Sequence, residues 1–421
     1  MSSAVRKTRL ANGIRILTGE MPHLRSVCMG VWVNVGARDE TPAESGLSHF
    51  VEHMIFKGTD RRSGYQIAKE FDAIGGQTNA FTGMESTCYH ARVMGTHLRT
   101  MVDILSDIFL NSVFAPEEVE KERTVIFQEI GMVEDSPDEY IHLLSGRLHW
   151  GDNPLGRSIL GTRENISGFT SDAISDFFHR FYQPDQIIIS AAGDIEHDRF
   201  VAAIQEPFES VSRAGPPPAR TTPMLRPAVR CEYRDLEQVH LCFGLKGLSL
   251  TDPQRYALSL LDTVFGGNMS SRLFQQIREN RGLAYNVYSF ASSYFDTGMY
   301  GIYAAVGAEN ALSVSELILE EMDKLRRHPV SHSELKNAKE FTKGNLMLSA
   351  ESNVNSMVRL AQSEILHGRY VPLEEVVDQI DRVAPEQIHE LVKDLFCRDQ
   401  MTLTLLGPIR DSDPYQSLLS V

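Results

Sequence analysis

A chain of 421 residues, 42% hydrophobic and 23% charged, has the composition of a soluble globular protein and length enough for two or more domains with large cores. Its formal net charge of −15 argues against nucleic acid or an anionic membrane as partner and suits basic peptides, although solubility alone also accounts for an acidic surface. The five cysteines (Cys28, Cys88, Cys231, Cys242, Cys397) are scattered, form no Cys-x-x-Cys pair and read as reduced thiols; with no apolar signal core and no run near the roughly eighteen apolar residues of a membrane span, the expected compartment is the cytoplasm.

The first elements in chain order are strand-like runs at 14–17 and 27–35. Next comes an apolar helical stretch carrying His49-Phe50-Val51-Glu52-His53. Four residues apart on a helix, His49 and His53 leave the same face, so both imidazoles can reach one zinc ion at roughly 2.0–2.1 Å. Glu52 falls beside that face, where a carboxylate can take a proton from zinc-bound water. The flanking Leu47, Phe50, Val51, Met54, Ile55 and Phe56 demand burial, which is costly for two histidines and a glutamate unless they are paired. The pentapeptide by itself also fits two satisfied core histidines.

A second helix is expected over 65–74, closed by Gly75-Gly76, followed over 77–93 by an alternating, threonine-rich pair of strands turning near Gly83. The next strong helical period covers Pro116–Asp135, its apolar stripe running through Val119, Ile126, Ile130 and Val133. Glu122 and Glu129 lie on that stripe and not on the solvated face with Glu117, Lys121 and Arg123. Glu129 as a third zinc ligand, with Glu122 holding a histidine from behind, would satisfy both; two rim glutamates on a wet helix is the alternative.

Another helix, a loop near Asn153-Pro-Leu-Gly156 and a strand at 187–192 complete the first half. Six prolines between Glu206 and Ala228, without helical or strand period, mark a linker. Beyond it the chain repeats: Asp185-Gln186 and Gly193-x-Ile195 recur 214 residues later as Asp399-Gln400 and Gly407-x-Ile409, and the pairs Tyr182/Phe396 and Phe181/Leu395 agree. A period that long means a duplicated domain. The expected division is residues 1–208 as a zinc-binding domain, 209–228 as linker and 229–421 as a homologous metal-free domain. In the second copy, residues 271–278 are expected to replace the histidine helix, without metal ligands. Arg278, by residue type alone, reads as a surface salt-bridge residue. Gly266-Gly267-Asn268 lacks the spacing of a phosphate loop.

Taken together, His49-x-x-Glu52-His53, Glu129 following 76 positions later, Glu122 two turns before it, Gly36-Ala-Arg-Asp-Glu40, Phe56-Lys-Gly-Thr59, Gly75-Gly-Gln-Thr-Asn-Ala-Phe-Thr82 and Gly266-Gly-Asn-Met-Ser-Ser-Arg-Leu-Phe274 resemble the pitrilysin/insulinase family of zinc peptidases along essentially the whole chain. The likeness is strongest to the short-chain branch that includes mitochondrial processing peptidase and its bacterial relatives. That resemblance implies an α+β fold of two homologous domains, each a mixed or antiparallel sheet with helices packed on one face, together forming half of a clamshell. It implies a metalloendopeptidase with one Zn2+ per chain on His49, His53 and Glu129, Glu52 as general base, and Arg278 and Tyr285 as substrate-backbone and oxyanion groups. Asn79, Ala80 and Phe81 would form an open strand edge that receives an extended peptide. Glu139 matches the first of two acidic positions that receive an arginine in processing peptidases, while Leu143 stands at the second. The implied partners are unfolded or presequence-like peptides of basic character, and a second chain closing a chamber, as a homodimer or as a heterodimer with a related subunit. A non-catalytic scaffold or partner subunit of the same fold is the competing reading.

Overall fold

The computed structural model describes residues 5–212 and 220–419, so the Arg213-Ala-Gly-Pro-Pro-Pro-Ala219 part of the expected linker lies outside the described residues. The fold is α+β, and the described residues gather into two compact units. One holds residues up to Gly131, those of Arg157–Arg220 and Leu348–Tyr370; the other holds Met132–Gly156, Thr221–Met347 and those of Val371–Val421.

The first unit is built on a six-stranded mixed sheet of β1 (Val5–Arg9), β2 (Arg15–Glu20), β3 (Ser26–Val33), β4 (Gln77–Thr82), β5 (Thr87–Met94) and β6 (Ile187–Gly193), in the order β1-β2-β6-β3-β5-β4. Only β2 and β6 pair in parallel. The second unit repeats the plan with β7 (Ala228–Tyr233), β8 (Gln238–Lys246), β9 (Ala284–Ser293), β10 (Gly298–Gly307) and β11 (Thr402–Gly407), in the order β7-β11-β8-β10-β9. Here β7 and β11 form the parallel pair. Strand for strand in both chain and spatial order, β2 to β6 correspond to β7 to β11. The repeat glycines agree as well: Gly193 and Gly407 adopt φ of +131° and +146° at the ends of β6 and β11. A Cβ on Gly193 would stand 2.2 Å from the Ser26 carbonyl oxygen, and one on Gly407 2.7 Å from that of Gln238, each at the start of the neighbouring strand.

The period of two along β3 sorts its side chains between two cores. Val27, Met29, Val31 and Val33 face the main helical layer, which includes the Leu47–Met54, Leu98–Asn111, Ser171–Phe181 and His197–Phe208 helices. Cys28 and Trp32 face the opposite way, under a single helix, Asn353–His367, through its Met357, Leu360 and Ala361. The second sheet is covered similarly: its reverse face, with Cys242, Tyr303 and Leu406, packs Ile141 and Leu144 of the Pro137–Trp150 helix. The sequence reading placed helices on one face of each sheet; the main layer is there, and one further helix covers the other. Burial on both faces explains why β3, β6, β8 and β11 are apolar almost throughout.

Each covering helix comes from the opposite half of the sequence. The Pro137–Trp150 helix precedes the linker but belongs to the second unit, and Asn353–His367 follows it but belongs to the first. Division at the linker therefore follows the duplication, while packing exchanges one helix each way. Close approach of these helices requires glycine. A Cβ on Gly30 would lie 2.5 Å from Met357 Sδ, and one on Gly244 2.9 Å from His149 Nδ1. These two glycines sit in Cys28-Met-Gly30 and Cys242-Phe-Gly244, again 214 apart.

One expected equivalence is corrected. The helix that follows β8 and packs against β9 and the Pro385–Leu395 helix is Arg255–Phe265, just as Leu47–Met54 follows β3 and packs against β4 and Ser171–Phe181. Residues 271–278 instead end in a short π-helix, Phe274–Glu279, standing immediately before the edge strand where Gly64–Ala73 stands in the first copy. The conclusion about the metal survives, because Arg255–Phe265 contains neither His nor Glu. The helices Pro116–Asp135 and His332–Ala350 begin 216 residues apart, and at that offset Ala338 and Asn345 replace Glu122 and Glu129.

The covering helix yields a stability prediction. Met357 is fully buried and accepts a hydrogen bond from Trp32 Nε1 at 3.3 Å, so Met357→Ala should cost about 2–5 kcal/mol through lost contacts and a cavity. The two tryptophans fall one in each unit, so a Trp150→Phe background leaves Trp32 to report the first. Its urea transition should move to lower concentration, and an unmoved midpoint would show that the helix does not support this sheet.

Candidate metal centre

The histidine helix, Leu47–Met54, starts at Gly46, whose φ of +105° and crowding by Ile166 and Gly161 leave no room for a side chain. Its first amides are held by a buried acid: Glu40 accepts from Gly46 N at 2.9 Å and from Ser48 N at 2.7 Å. Burial pushes the Glu40 pKa up to about 8 against those two bonds. Leu47, Phe50, Val51 and Met54 root the helix in the first core and direct His49, Glu52 and His53 to its other side. The Pro116–Asp135 helix, exactly as long as its sequence period, buries Val119, Ile126 and Ile130 and brings Glu122 and Glu129 to the histidines.

The geometry is that of a metal site. Glu129 Oε2 stands 3.6 Å from His49 Nε2 and 3.5 Å from His53 Nε2. One ligand atom from each of the three residues lies within 4.8 Å of the other two. Two ligands at roughly 2.0–2.1 Å from a tetrahedral ion are separated by about 3.3–3.4 Å, so the observed spacings suit a shared ion better than direct hydrogen bonds. Glu129 Oε2 is moreover buried without any hydrogen-bond partner, a costly arrangement that a cation would relieve. Among the described residues this is the one trio of His, Cys, Asp or Glu side chains so arranged. The residues fit zinc.

Behind the trio, Glu122 Oε2 accepts from His53 Nδ1 at 2.9 Å, which presents Nε2 to the metal position. The other oxygen of Glu122 pairs with Lys57. Burial would raise the pKa of Glu122, but its bonds to His53 and Lys57 prevail and hold it below the ordinary carboxylate range. Burial likewise opposes charge on His53, yet the Glu122 bond and the charges of Glu129, Glu122 and Glu52 outweigh it and raise its pKa. His49 has no such support; burial, then the neighbouring His53, lowers its pKa to about 3, so its ring is neutral and ready to ligate. Glu52 stays outside the trio. Burial raises its pKa, and Glu129 adds to this, while hydrogen bonds from Thr82 oppose it.

The remaining sequence candidates are distributed as follows. Asn79, Ala80 and Phe81 lie on β4, which is the edge of its sheet and pairs only with β5. Phe81 turns to the reverse face against Trp32, ring centroids 5.4 Å apart. Arg278 and Tyr285 belong to the second unit, with the Arg278 guanidinium 4.6 Å from the Tyr285 ring centre and 4.7 Å from that of Phe274; Tyr285 is 79% exposed. Glu139 is an exposed residue in the first turn of the Pro137–Trp150 helix. Two site residues escaped the sequence reading, Lys57 and Thr82. Both lie within quoted motifs, and the strand period from Ala80 was the available signal for Thr82.

Residues 15–163 match the sequence profile of the insulinase family (peptidase family M16), and residues 168–341 match that of the peptidase M16 inactive domain. The chain is 41% identical to the uncharacterized zinc protease YmxG of Bacillus subtilis over 96% of this chain and 98% of that one. It is 37% identical to an uncharacterized zinc protease of Streptomyces coelicolor over 97% and 90% of the two chains. In fold it is similar to a protease from Helicobacter pylori, with a TM-score of 0.89 at 20% identity over 97% of this chain and 100% of that one. A peptidase M16 inactive domain protein from Pseudomonas fluorescens also superposes with a TM-score of 0.89, at 18% identity over 97% and 98%. The two-unit α+β fold and a His-His-Glu trio whose spacing suits a metal ion agree with that family. The chain belongs to the insulinase family, peptidase family M16.

Replacing Glu122 by Gln keeps its shape but removes the charge behind His53. Zinc affinity, read by competition with a chromogenic chelator, should fall about 10–100-fold while the fold is retained. Unchanged affinity would mean that Glu122 merely packs.

Proposed function

We propose that this protein is a zinc-dependent endopeptidase that cleaves extended peptide segments laid along β4. The observation that carries this reading is the placement of Glu52: a partly buried carboxylate beside, but not within, the ligand trio, joined through Thr82 to β4, an edge strand of the first sheet. Bound zinc would supply an acidified water and polarise the scissile carbonyl. Glu52 is placed to accept a proton from that water and return it to the departing amine. Lys57 and Glu122 keep the His53 ring oriented through the cycle. The exposed edge of β4 offers main-chain hydrogen bonds to a substrate of any sequence. The zinc-protease names of relatives at 37–41% identity support the same reading.

Glu52→Gln should bind zinc as the native protein does and lose about 10²–10⁴-fold in turnover of a mixed peptide library. Turnover within about tenfold of native would remove Glu52 as the base.

The proposal extends to the second unit. Arg278 and Tyr285 present a cation and a phenol side by side, suited to a peptide carbonyl and a developing oxyanion. We place them opposite the zinc of a second chain, in a twofold homodimer that encloses unfolded or presequence-like peptides. Glu139 favours basic segments there, with a looser demand for one arginine because Leu143 offers no second carboxylate. Subunit mixing tests this arrangement. Glu52→Gln and Arg278→Ala proteins should each be nearly inactive, and their mixed dimer should recover part of the activity because one of its two sites is intact. No recovery after verified exchange would refute a shared site.

A further inference from the structure

We infer that Thr82 is a positioning residue that locks the Glu52 carboxylate at the end of β4 and so sets the register between the base and a bound peptide. The inference rests on the peptidase reading above. Thr82 is the last residue of β4. Its hydroxyl donates to Glu52 Oε2 at 2.5 Å, within the range of a charge-assisted O–H···O⁻ bond.

The ladder fixes which side of β4 the Thr82 amide faces. Gly83 N donates to Ser86 O at 2.8 Å across the turn, so the adjacent Thr82–Thr87 pair is a non-hydrogen-bonded one and the Thr82 N–H belongs to the free side of the strand. Two residues earlier, with the same parity, the Ala80 amide also avoids the ladder and donates to its own neighbour, Asn79 Oδ1, at 2.9 Å. The free edge therefore ends at Thr82, whose hydroxyl holds the base, and is covered at Ala80 by a short side chain that an incoming strand can displace. A peptide added along this edge gains main-chain bonds up to Ala80 and meets Glu52 at the next position. Thr82 thus ties the proton acceptor to the same strand that holds the substrate.

The hydroxyl also selects an oxygen. With Oε2 engaged by Thr82, the proton removed from water arrives on Oε1 and leaves from Oε1 to the amine. Thr82 keeps its own proton throughout, so no bond of Thr82 forms or breaks. Without the hydroxyl, a three-torsion glutamate side chain samples rotamers, and a misplacement near 1 Å costs about 100-fold in rate.

The test is Thr82→Val, which preserves shape, strand preference and the backbone amide but removes the hydroxyl. The expected result is a kcat lowered about 10–100-fold, with KM and bound zinc per chain within about twofold of native. Thr82→Ser should restore kcat to within about threefold, and adding Thr82→Val to Glu52→Gln should produce no further loss, since the group it positions is already inert. Turnover by Thr82→Val within threefold of native, a loss confined to KM, zinc lost in step with activity, a serine variant as impaired as the valine one, or an additive loss in the double variant would each overturn the role. Should Thr82→Val fail to fold, Thr82→Ser against Thr82→Ala makes the same comparison. Native protein that binds zinc but cleaves no peptide would overturn the peptidase reading together with this one, an outcome separable from an active enzyme indifferent to Thr82.

Discussion

The centre of the first unit depends on an electrostatic requirement: two imidazoles and three carboxylates are packed beside an apolar helix and must be neutralised there. Lys57 and His53 account for Glu122, and Thr82 hydrogen-bonds Glu52. Glu129 Oε2 faces both histidines with no hydrogen of its own to share. That oxygen leaves the cluster incomplete without a cation. Desolvation, which makes the unpaired arrangement expensive, is also what makes an ion held there a strong Lewis acid and keeps His49 neutral.

Support for this cluster reaches through the sheet to the reverse face. β3 lies in the middle of its sheet, and its odd residues back the helical layer that carries the histidines. Its even residues need cover of their own, which comes from Asn353–His367, a helix encoded after the linker. The second unit takes Pro137–Trp150 in return. Neither half of the sequence therefore contains all the apolar surface that its own sheet requires. Gly30 and Gly244 mark where each covering helix passes, because any side chain there would collide with Met357 or His149.

Duplication with loss explains the asymmetry between the units. Both retain the strand order, the parallel pair and the strained glycine at the end of β6 or β11. The metal-bearing positions diverged: Arg255–Phe265 has no histidine, and Ala338 and Asn345 stand where Glu122 and Glu129 stand in the first copy. One acid persists in that helix, Asp262, whose pKa is raised to about 6 by burial while Ser289 donates to it at 2.6 Å. A buried acid with a hydroxyl partner is structurally self-sufficient, which the metal trio is not.

By itself the sequence determined which ligand-type side chains share a helix face and that the fold is repeated. Helical spacing put His49 and His53 on one face, and the stripe of Pro116–Asp135 identified Glu122 and Glu129 as inward carboxylates, because these are local regularities with a period of 3.6 residues. The 214-residue echo was legible for the same reason, as matched turns at matched strand ends. Tertiary structure alone decided which helix covers which sheet, which second-copy helix replaces the histidine helix, and that Lys57 and Thr82 complete the site. Those depend on distant segments meeting, Thr82 with Glu52 across 30 residues and Met357 with Trp32 across 325, and no local period encodes such a meeting.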